Sequence, residues 1–318
     1  MASVLILCPT FDHAETLFAS IASVRVQTFT DWEMVVIGDG APHRTRDIMS
    51  VITRLDERIR CVWHPKSMRF GETYRDPIIR ESKADVVLQL GDDDLWAPNH
   101  IERMLALLGD SDWANEAPLR MAVDGTTEWW PINHGTVAVR SSITLGIPVS
   151  AGPNYVAYRR DAYLRLPEGW TCAPPPGPSD AFMWAKFFRL PALSVASTAS
   201  TTALKFPALA KQRVAFGPEQ RLAEIQPWLA RIAQPGFVRD LCLRASIRSR
   251  MIALYGIHGV PAGHSWSEAL RHCGLEPVDA HVEPNFARNG EMMRFPLSAD
   301  QQDEARLALE DHIRMQVL

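Results

Sequence analysis

Asp85-Val86-Val87-Leu88-Gln89-Leu90-Gly91-Asp92-Asp93-Asp94 is the stretch that decides the fold of this chain. The aliphatic, β-branched run at its centre reads as a short buried strand, and Leu95-Trp96 resumes hydrophobic character directly after the acids. Three adjacent carboxylates repel one another, and near a core edge they cost free energy unless something cationic sits among them. A divalent ion that prefers oxygen ligands is the economical answer. Ligands of open α/β sheets sit beyond the carboxyl ends of the strands, where these aspartates fall. An isolated Asp-Asp-Asp reads more readily as a solvated acidic turn, and it is the surrounding chain that reverses that reading.

Upstream, Ser3 to Cys8 reads as a first buried strand stopped by Pro9. Asp12 stands three residues before Glu15, the capping-box spacing that starts a helix, and Leu17, Ile21 and Val24 give that helix one apolar face. Trp32 to Ile37 is a second strand ending in Gly38-Asp39-Gly40; a helix over 44–55, a strand over 59–63 and a helix to about Ser82 follow. Such alternation implies parallel strands joined by right-handed crossovers, hence half of a doubly wound sheet. The strand ends at Pro9-Thr10-Phe11-Asp12, at Asp39 and at Asp92 to Asp94 then converge on one crevice. Neither GxGxxG nor GxxxxGK occurs, so a phosphorylated ligand there would rely on a metal rather than on a glycine-rich loop.

The 318 residues allow one large domain with a sizeable appendage, and 47% hydrophobic with 22% charged residues describes an ordinary globular core. A net charge of −4 argues against a nucleic-acid partner. The five cysteines contain no CxxC pair, which favours a reducing cytoplasm over disulfides or zinc. No run approaches the roughly 18 apolar residues of a membrane span, and no basic region precedes the first strand as in a signal peptide.

Taken in order, Pro9-Thr10-Phe11-Asp12, Ser23-Val24-Arg25-Val26-Gln27-Thr28, Asp39-Gly40-Ala41, Tyr74-Arg75-Asp76 and Asp92-Asp93-Asp94 form a series. With it, residues 3 to 110 resemble the nucleotide-binding half of the family 2 glycosyltransferases. The resemblance implies a GT-A fold, an α/β doubly wound mixed sheet, and transfer of a sugar from a nucleoside diphosphate sugar. It implies that Thr10, Phe11 and Asp39 hold the nucleoside, with Asp39 accepting from a base N–H, which suits UDP or dTDP. Pro9, Asp12 and Asp93 flank the same pocket, Arg75 lies beside the base or phosphates, and Asp92 faces the ribose and sugar. Asp94 would ligate a Mn2+ or Mg2+ bridging the diphosphate. Asp12, Gly38 and Asp76-Pro77 depart from the family pattern and leave base and sugar identity open.

The second chemical stretch is Ala173-Pro174-Pro175-Pro176-Gly177-Pro178-Ser179-Asp180, a stiff loop leading into a helix with Ser179 or Asp180 as natural N-cap. Asp180, Trp184 and Lys186 keep the family's spacing, while Ser179 replaces a glutamate. By resemblance to the inverting members, Asp180 is the general base on the acceptor hydroxyl, kept deprotonated by the helix N-terminus. Residues 111–150 are less legible: 135–139 reads as a strand and 126–134 as a loop, whose Trp129-Trp130 suits either core or sugar stacking. Arg159-Arg160 closes a further strand. The family's His after Lys205 is absent, which moves a phosphate contact to Lys211 or Arg213.

The expected divisions are a nucleotide-sugar half (1–110), an acceptor half (111–216) and a helical C-terminal appendage (217–318). The appendage has apolar stripes at Leu222, Ile225 and Leu229 and at Val238, Leu241 and Ala245, a capping box at Ser265 to Glu268, and a last helix over 303–318. It suits a homo-oligomer interface, while Arg244, Arg248 and Arg250 suit peripheral contact with acidic lipid. The expected function is metal-dependent, inverting transfer to a glycan, lipid-linked or other small acceptor in the cytoplasm. The alternatives are a degenerate nucleotide-binding scaffold and a nucleotidyltransferase.

Overall fold

The computed structural model describes residues 2–147, 150–175, 177–207, 211–242, 244–246, 285–288 and 291–294. The first half alternates as its apolar runs require: β1 (Val4–Thr10), α1 (Ala14–Arg25), β2 (Trp32–Asp39), α2 (His43–Leu55), β3 (Ile59–His64), α3 (Arg75–Glu81) and β4 (Val86–Gln89). β5 (Leu95–Trp96), α4 (His100–Leu108), β6 (Trp113–Asn115), β7 (Leu119–Met121) and β8 (Thr127–Trp129) follow. The chain continues with α5 (Val137–Thr144), β9 (Val156–Arg159), α6 (Arg160–Leu164), α7 (Ser179–Phe188), β10 (Val195–Ser197) and β11 (Ala203–Leu204). α8 (Lys211–Val214) and α9 (Pro218–Ile232) lead into the tail, where β12 (Asn285–Arg288) pairs with β13 (Glu291–Arg294).

Seven strands form one mixed sheet in the order β10-β6-β9-β4-β1-β2-β3. β1 lies parallel to both β2 and β4, and β9 alone runs antiparallel to its neighbours β4 and β6. Chain order therefore reverses between β1 and β4, the switch point at which ligands of such sheets bind. The register shows how the crevice opens there. β1 pairs with β2 as far as Thr10↔Gly38, but with β4 only as far as Leu7↔Gln89. Beyond Leu7 the two central strands diverge, and Pro9-Thr10 faces Asp92 to Asp94 across the gap.

β1, β2 and β4 are buried on both faces, as continuous apolar runs in a parallel sheet must be. Gly38 stands where a second acid would precede Asp39 because a Cβ there would lie 2.1 Å from Trp63 Cε3. On β6, Trp113 packs its ring 4.8 Å from Trp184 and 4.9 Å from Phe187, which seats α7 on the sheet. Among the described residues no helix is long and apolar enough to cross a membrane.

Several expectations need correcting. Residues 135–139 enter a helix, not a strand: Thr136 Oγ1 accepts from Val139 N–H, and Val139 and Ile143, four apart, bury one face. Residues 127–129 pair with β7 instead of looping out. The capping box at Asp12 does not form; His13 is the N-cap residue of α1, Asp12 is exposed, and Glu15 pairs with Arg44 at 2.5 Å. Pro178, not Ser179 or Asp180, caps α7. In the tail, α9 buries Ile225 as its stripe demands, and Val238 and Ala245 are buried too. The β12–β13 hairpin interrupts the expected run of helices; Asn289-Gly290 stands between the strands in sequence, the pair that two-residue hairpin turns favour. Residues 265–268 and 303–318 lie outside the described residues.

Candidate active site

The crevice has one side at the ends of β1 and β2, an acidic floor at Asp92 to Asp94 and an opposite side at α7. At the end of β1, Thr10 is 3% exposed and its Oγ1 has no hydrogen-bond partner among the described residues. The Phe11 ring is 47% exposed with Lys66 Nζ 5.2 Å from its centroid, an open aromatic face of the kind a base stacks on. Asp39 is buried, and both of its oxygens are already engaged. Oδ2 accepts from Lys66 Nζ at 2.6 Å and Ser67 Oγ at 3.0 Å, and Oδ1 from Ser67 N–H at 2.5 Å. Gly71 permits this closure: at φ 64 it sits so close that a Cβ would lie 3.2 Å from Asp39 Cβ. Arg75 lies beneath the same segment. One guanidinium nitrogen donates to Phe70 O at 3.0 Å, Nε has no partner among the described residues, and the group stacks 4.3 Å from the Trp170 ring.

The acidic floor contains cations of its own. His13 Nδ1 lies 3.0 Å from Asp92 Oδ1. Burial alone would lower the imidazole pKa, but the Asp92 charge and hydrogen bond carry it up to about 9, so His13 is charged at neutral pH. Asp94 is fully buried; Lys205 Nζ donates to its Oδ2 at 3.1 Å and Phe206 N–H to its Oδ1 at 2.9 Å. The sheet register dictates this pair. β11 runs antiparallel to β5 with Leu204 opposite Leu95, so the next residue, Lys205, falls opposite Asp94. Asp93 makes no hydrogen bond or ion pair among the described residues, and burial together with Asp94 pushes its carboxyl well above the ordinary range. Gly91 is required beneath the cluster: a Cβ there would lie 2.5 Å from Asp94 Oδ2 and 3.2 Å from Asp93 Oδ1.

Across the crevice, Asp180 stands in the first turn of α7 with Oδ1 accepting from Ala181 N–H at 2.8 Å. Burial outweighs this bond and the Lys205 and Arg75 charges, so its carboxyl sits above the ordinary range, opposite to the lowering expected from the helix N-terminus. A raised carboxylate is the better proton acceptor. Ser179 Oγ donates to Glu72 Oε1 at 2.6 Å. Trp184 is core, with Nε1 donating to Ala151 O at 2.8 Å. Lys186 ties down the 168–171 loop through Glu168, Gly169 and Thr171, each at 2.7 Å, and so does not enter the crevice.

Other candidates are absorbed by the framework. Arg213 forks onto Glu224 at 2.9 and 3.0 Å and also bonds Met121 O, which removes it as a phosphate contact; the Lys211 side chain lies outside the described residues. Arg159 and Arg160 donate to carbonyls of Ser111 and Ile79 near helix ends. Trp129 is buried and donates to Ala199 O at 3.0 Å, so it offers no face to a sugar. Sequence reasoning missed His13, Lys66, Glu72 and Lys205. Each acts through a partner 27 to 111 residues away, and no local spacing signals that.

Among the described residues no three His, Cys, Asp or Glu side chains form a closed metal cage. The charges nevertheless fit a divalent ion. Of the three adjacent carboxylates, Asp92 is paired with His13 and Asp94 with Lys205, while Asp93 has no ion-pair partner among the described residues. Asp93 and the second oxygen of Asp92 accept no hydrogen bond among the described residues, while each oxygen of Asp94 already accepts one, from Lys205 and from Phe206 N–H. One or two carboxylates completed by substrate phosphates is the usual manner of holding Mg2+.

The profile of glycosyl transferase family 2 matches residues 5–166. Over 125 residues the chain is 26% identical to the putative teichuronic acid biosynthesis glycosyltransferase TuaG of Bacillus subtilis, covering 39% of this chain and 49% of that one. Over 105 residues it is 27% identical to WfgD of Escherichia coli, a UDP-Glc:alpha-D-GlcNAc-diphosphoundecaprenol beta-1,3-glucosyltransferase, covering 33% and 40%. The chain thus spans less than half the length of these relatives. In fold it is similar to S. aureus TarS 1–349 in complex with UDP-GlcNAc, at TM-score 0.51, 13% identity, and 80% and 76% coverage. The UDP complex of TarS gives 0.50, 14%, 86% and 78%.

Proposed function

The chain belongs to glycosyl transferase family 2, and from that premise we propose that it moves a sugar, with inversion, from a nucleoside diphosphate sugar to an acceptor hydroxyl. The observation that carries this is the gathering of two kinds of carboxylate in one crevice. Asp92 to Asp94 lie at the end of β4 with His13 and Lys205 among them, and Asp180 comes from the first turn of α7, under the Lys205 and Arg75 charges. Inversion requires a division of roles between them. As the acceptor oxygen bonds to the anomeric carbon, the bond from that carbon to the diphosphate oxygen breaks on the opposite face. The acceptor proton passes to Asp180, and the nucleoside diphosphate leaves as the anion. A general base of this kind contributes about 10²–10⁴-fold.

On the leaving side, Lys205 has one ammonium proton committed to Asp94 and, in our reading, directs the remaining two at the departing diphosphate. A Mn2+ or Mg2+ held by Asp92 and Asp93 would supply Lewis-acid stabilisation of that leaving group. Thr10 and Phe11 take the nucleoside, and Asp39 reads the base N–H by giving up one of its bonds to Ser67 or Lys66. We favour UDP or dTDP for that reason. TuaG is named for teichuronic acid biosynthesis and WfgD for transfer to alpha-D-GlcNAc-diphosphoundecaprenol, which points to a glycan or lipid-linked acceptor here.

Calorimetric titration with UDP, dTDP and GDP, with and without manganese, tests the reading. UDP and dTDP should bind at least about tenfold more tightly than GDP, since the wrong base leaves buried polar groups unpaired. Tighter GDP binding would refute the base assignment, and no nucleotide binding at all would refute the donor class. A specific observation also favours a second reading: Asp39, Asp92 and Asp94 each hold an in-chain cation, as a closed, non-catalytic binding subunit would. Tight UDP binding with no release of UDP from any UDP-sugar would select it.

A further inference from the structure

Helix α7 carries Asp180 in its first turn, yet its own sequence does not fix that turn. Its N-cap residue Pro178 makes no side-chain cap bond, and the Asp180 carboxylate is spent on the adjacent N–H. The anchor comes from a residue 107 positions away: Glu72 Oε1 accepts from Ser179 Oγ at 2.6 Å, while Oε2 accepts from Phe70 N–H at 3.0 Å. Glu72 is 1% exposed. Burial acts to raise its carboxyl, but the bonds from Ser179 and Phe70 hold it below the usual range, so a buried anion faces the positive end of α7.

Arg69 adds a second brace, donating to Ala173 O at 2.8 Å and Gly177 O at 2.9 Å on either side of the proline-rich turn. The same segment closes on Asp39 through Lys66 and Ser67. Residues 66–72 therefore run from the nucleoside pocket to the helix that bears the base.

We infer that Glu72 is a positioning residue for Asp180, acting through Ser179, and that segment 66–72 ties the placement of the base to the nucleoside pocket. A base must stand within about 2.6–3.2 Å of the proton it takes, and displacement by about 1 Å costs on the order of 10²-fold. The family pattern puts a glutamate at 179; here Glu72 brings the carboxylate from across the crevice to a serine. This inference rests on Asp180 being the base.

Ser179→Ala tests it, because alanine favours the helix and removes only the hydroxyl. Amide exchange over residues 177–183 should speed up about tenfold while β1 is unchanged. Release of UDP from UDP-glucose with manganese should fall about 10- to 100-fold with UDP affinity unaltered. Ser179→Thr should restore both, and adding Glu72→Ala to Ser179→Ala should cause little further loss in rate. Exchange and turnover equal to wild type in Ser179→Ala would overturn the inference, as would loss of UDP affinity in parallel with turnover. If UDP-glucose is not a donor, the exchange result decides. If Asp180→Asn turns over at the wild-type rate, Asp180 is not the base and the inference falls with its premise.

Discussion

Lys205 shows how one residue changes the meaning of a motif. Three aspartates in a row invite a metal, but the residue opposite Asp94 is a lysine, and burial of Asp94 against it leaves Asp93 as the carboxylate in need of a cation. Lys205→Met separates the two roles. Manganese alone should bind no more weakly, since a competitor for Asp94 is gone, whereas UDP should lose about 10- to 100-fold, the worth of a charge-assisted bond. Parallel loss of both in titration would show that the pair only holds the floor together. A second residue prediction concerns His100, fully buried, stacked 4.3 Å from Trp96 and bonded to Thr202 Oγ1 at 2.7 Å. Burial lowers its pKa from 6.5 to about 3. A depressed folded pKa means stability is present above 6.5 and lost as pH falls toward 3, because the unfolded chain takes up the proton first. The His100 contribution to the melting temperature should therefore be lost from pH 7 to pH 4, so His100→Gln should lose less over that interval than wild type. Equal slopes would contradict the assignment.

At the scale of elements, legibility follows the range of the interactions. β1, β2 and β4 are readable because strands buried on both faces are continuous apolar runs bounded by turn residues. α5 is misread because a valine-rich start suggests a strand, while its cap at Thr136 and its Val139–Ile143 spacing decide otherwise. β5 and β11 are two residues each, too short for any period, yet their pairing places Lys205 on Asp94. Asp180, Asp39 and the acidic triplet were visible as strand and helix ends. What could not be read was which of them already carried a partner. α9 belongs to this scale as well. Ile225 and Ile232 pack with Leu95, Leu119 and Leu204 beside the acidic floor. Deleting residues from 217 onward should expose that cluster, lowering the melting temperature and promoting association, as size-exclusion chromatography and thermal melts would show. A truncated chain that stays monodisperse and equally stable would show α9 to be dispensable.

For the molecule as a whole, the reversal of chain order between β1 and β4 creates the crevice, and β9, antiparallel to its neighbours in the main sheet, leads through α6 and the following loop to α7. In the proposed function, one face of the crevice serves the leaving group and the other the incoming oxygen. The measurement that tests this most directly is transfer by Asp180→Asn, with the anomeric configuration of the wild-type product determined by NMR. The substitution keeps the shape and cannot take the proton. UDP binding should be near normal, transfer should be slowed by about 10²–10⁴-fold, and the wild-type product should have the configuration opposite to that of the donor. Asp180→Asn retaining most of the wild-type rate, or a product with retained configuration, would contradict the account.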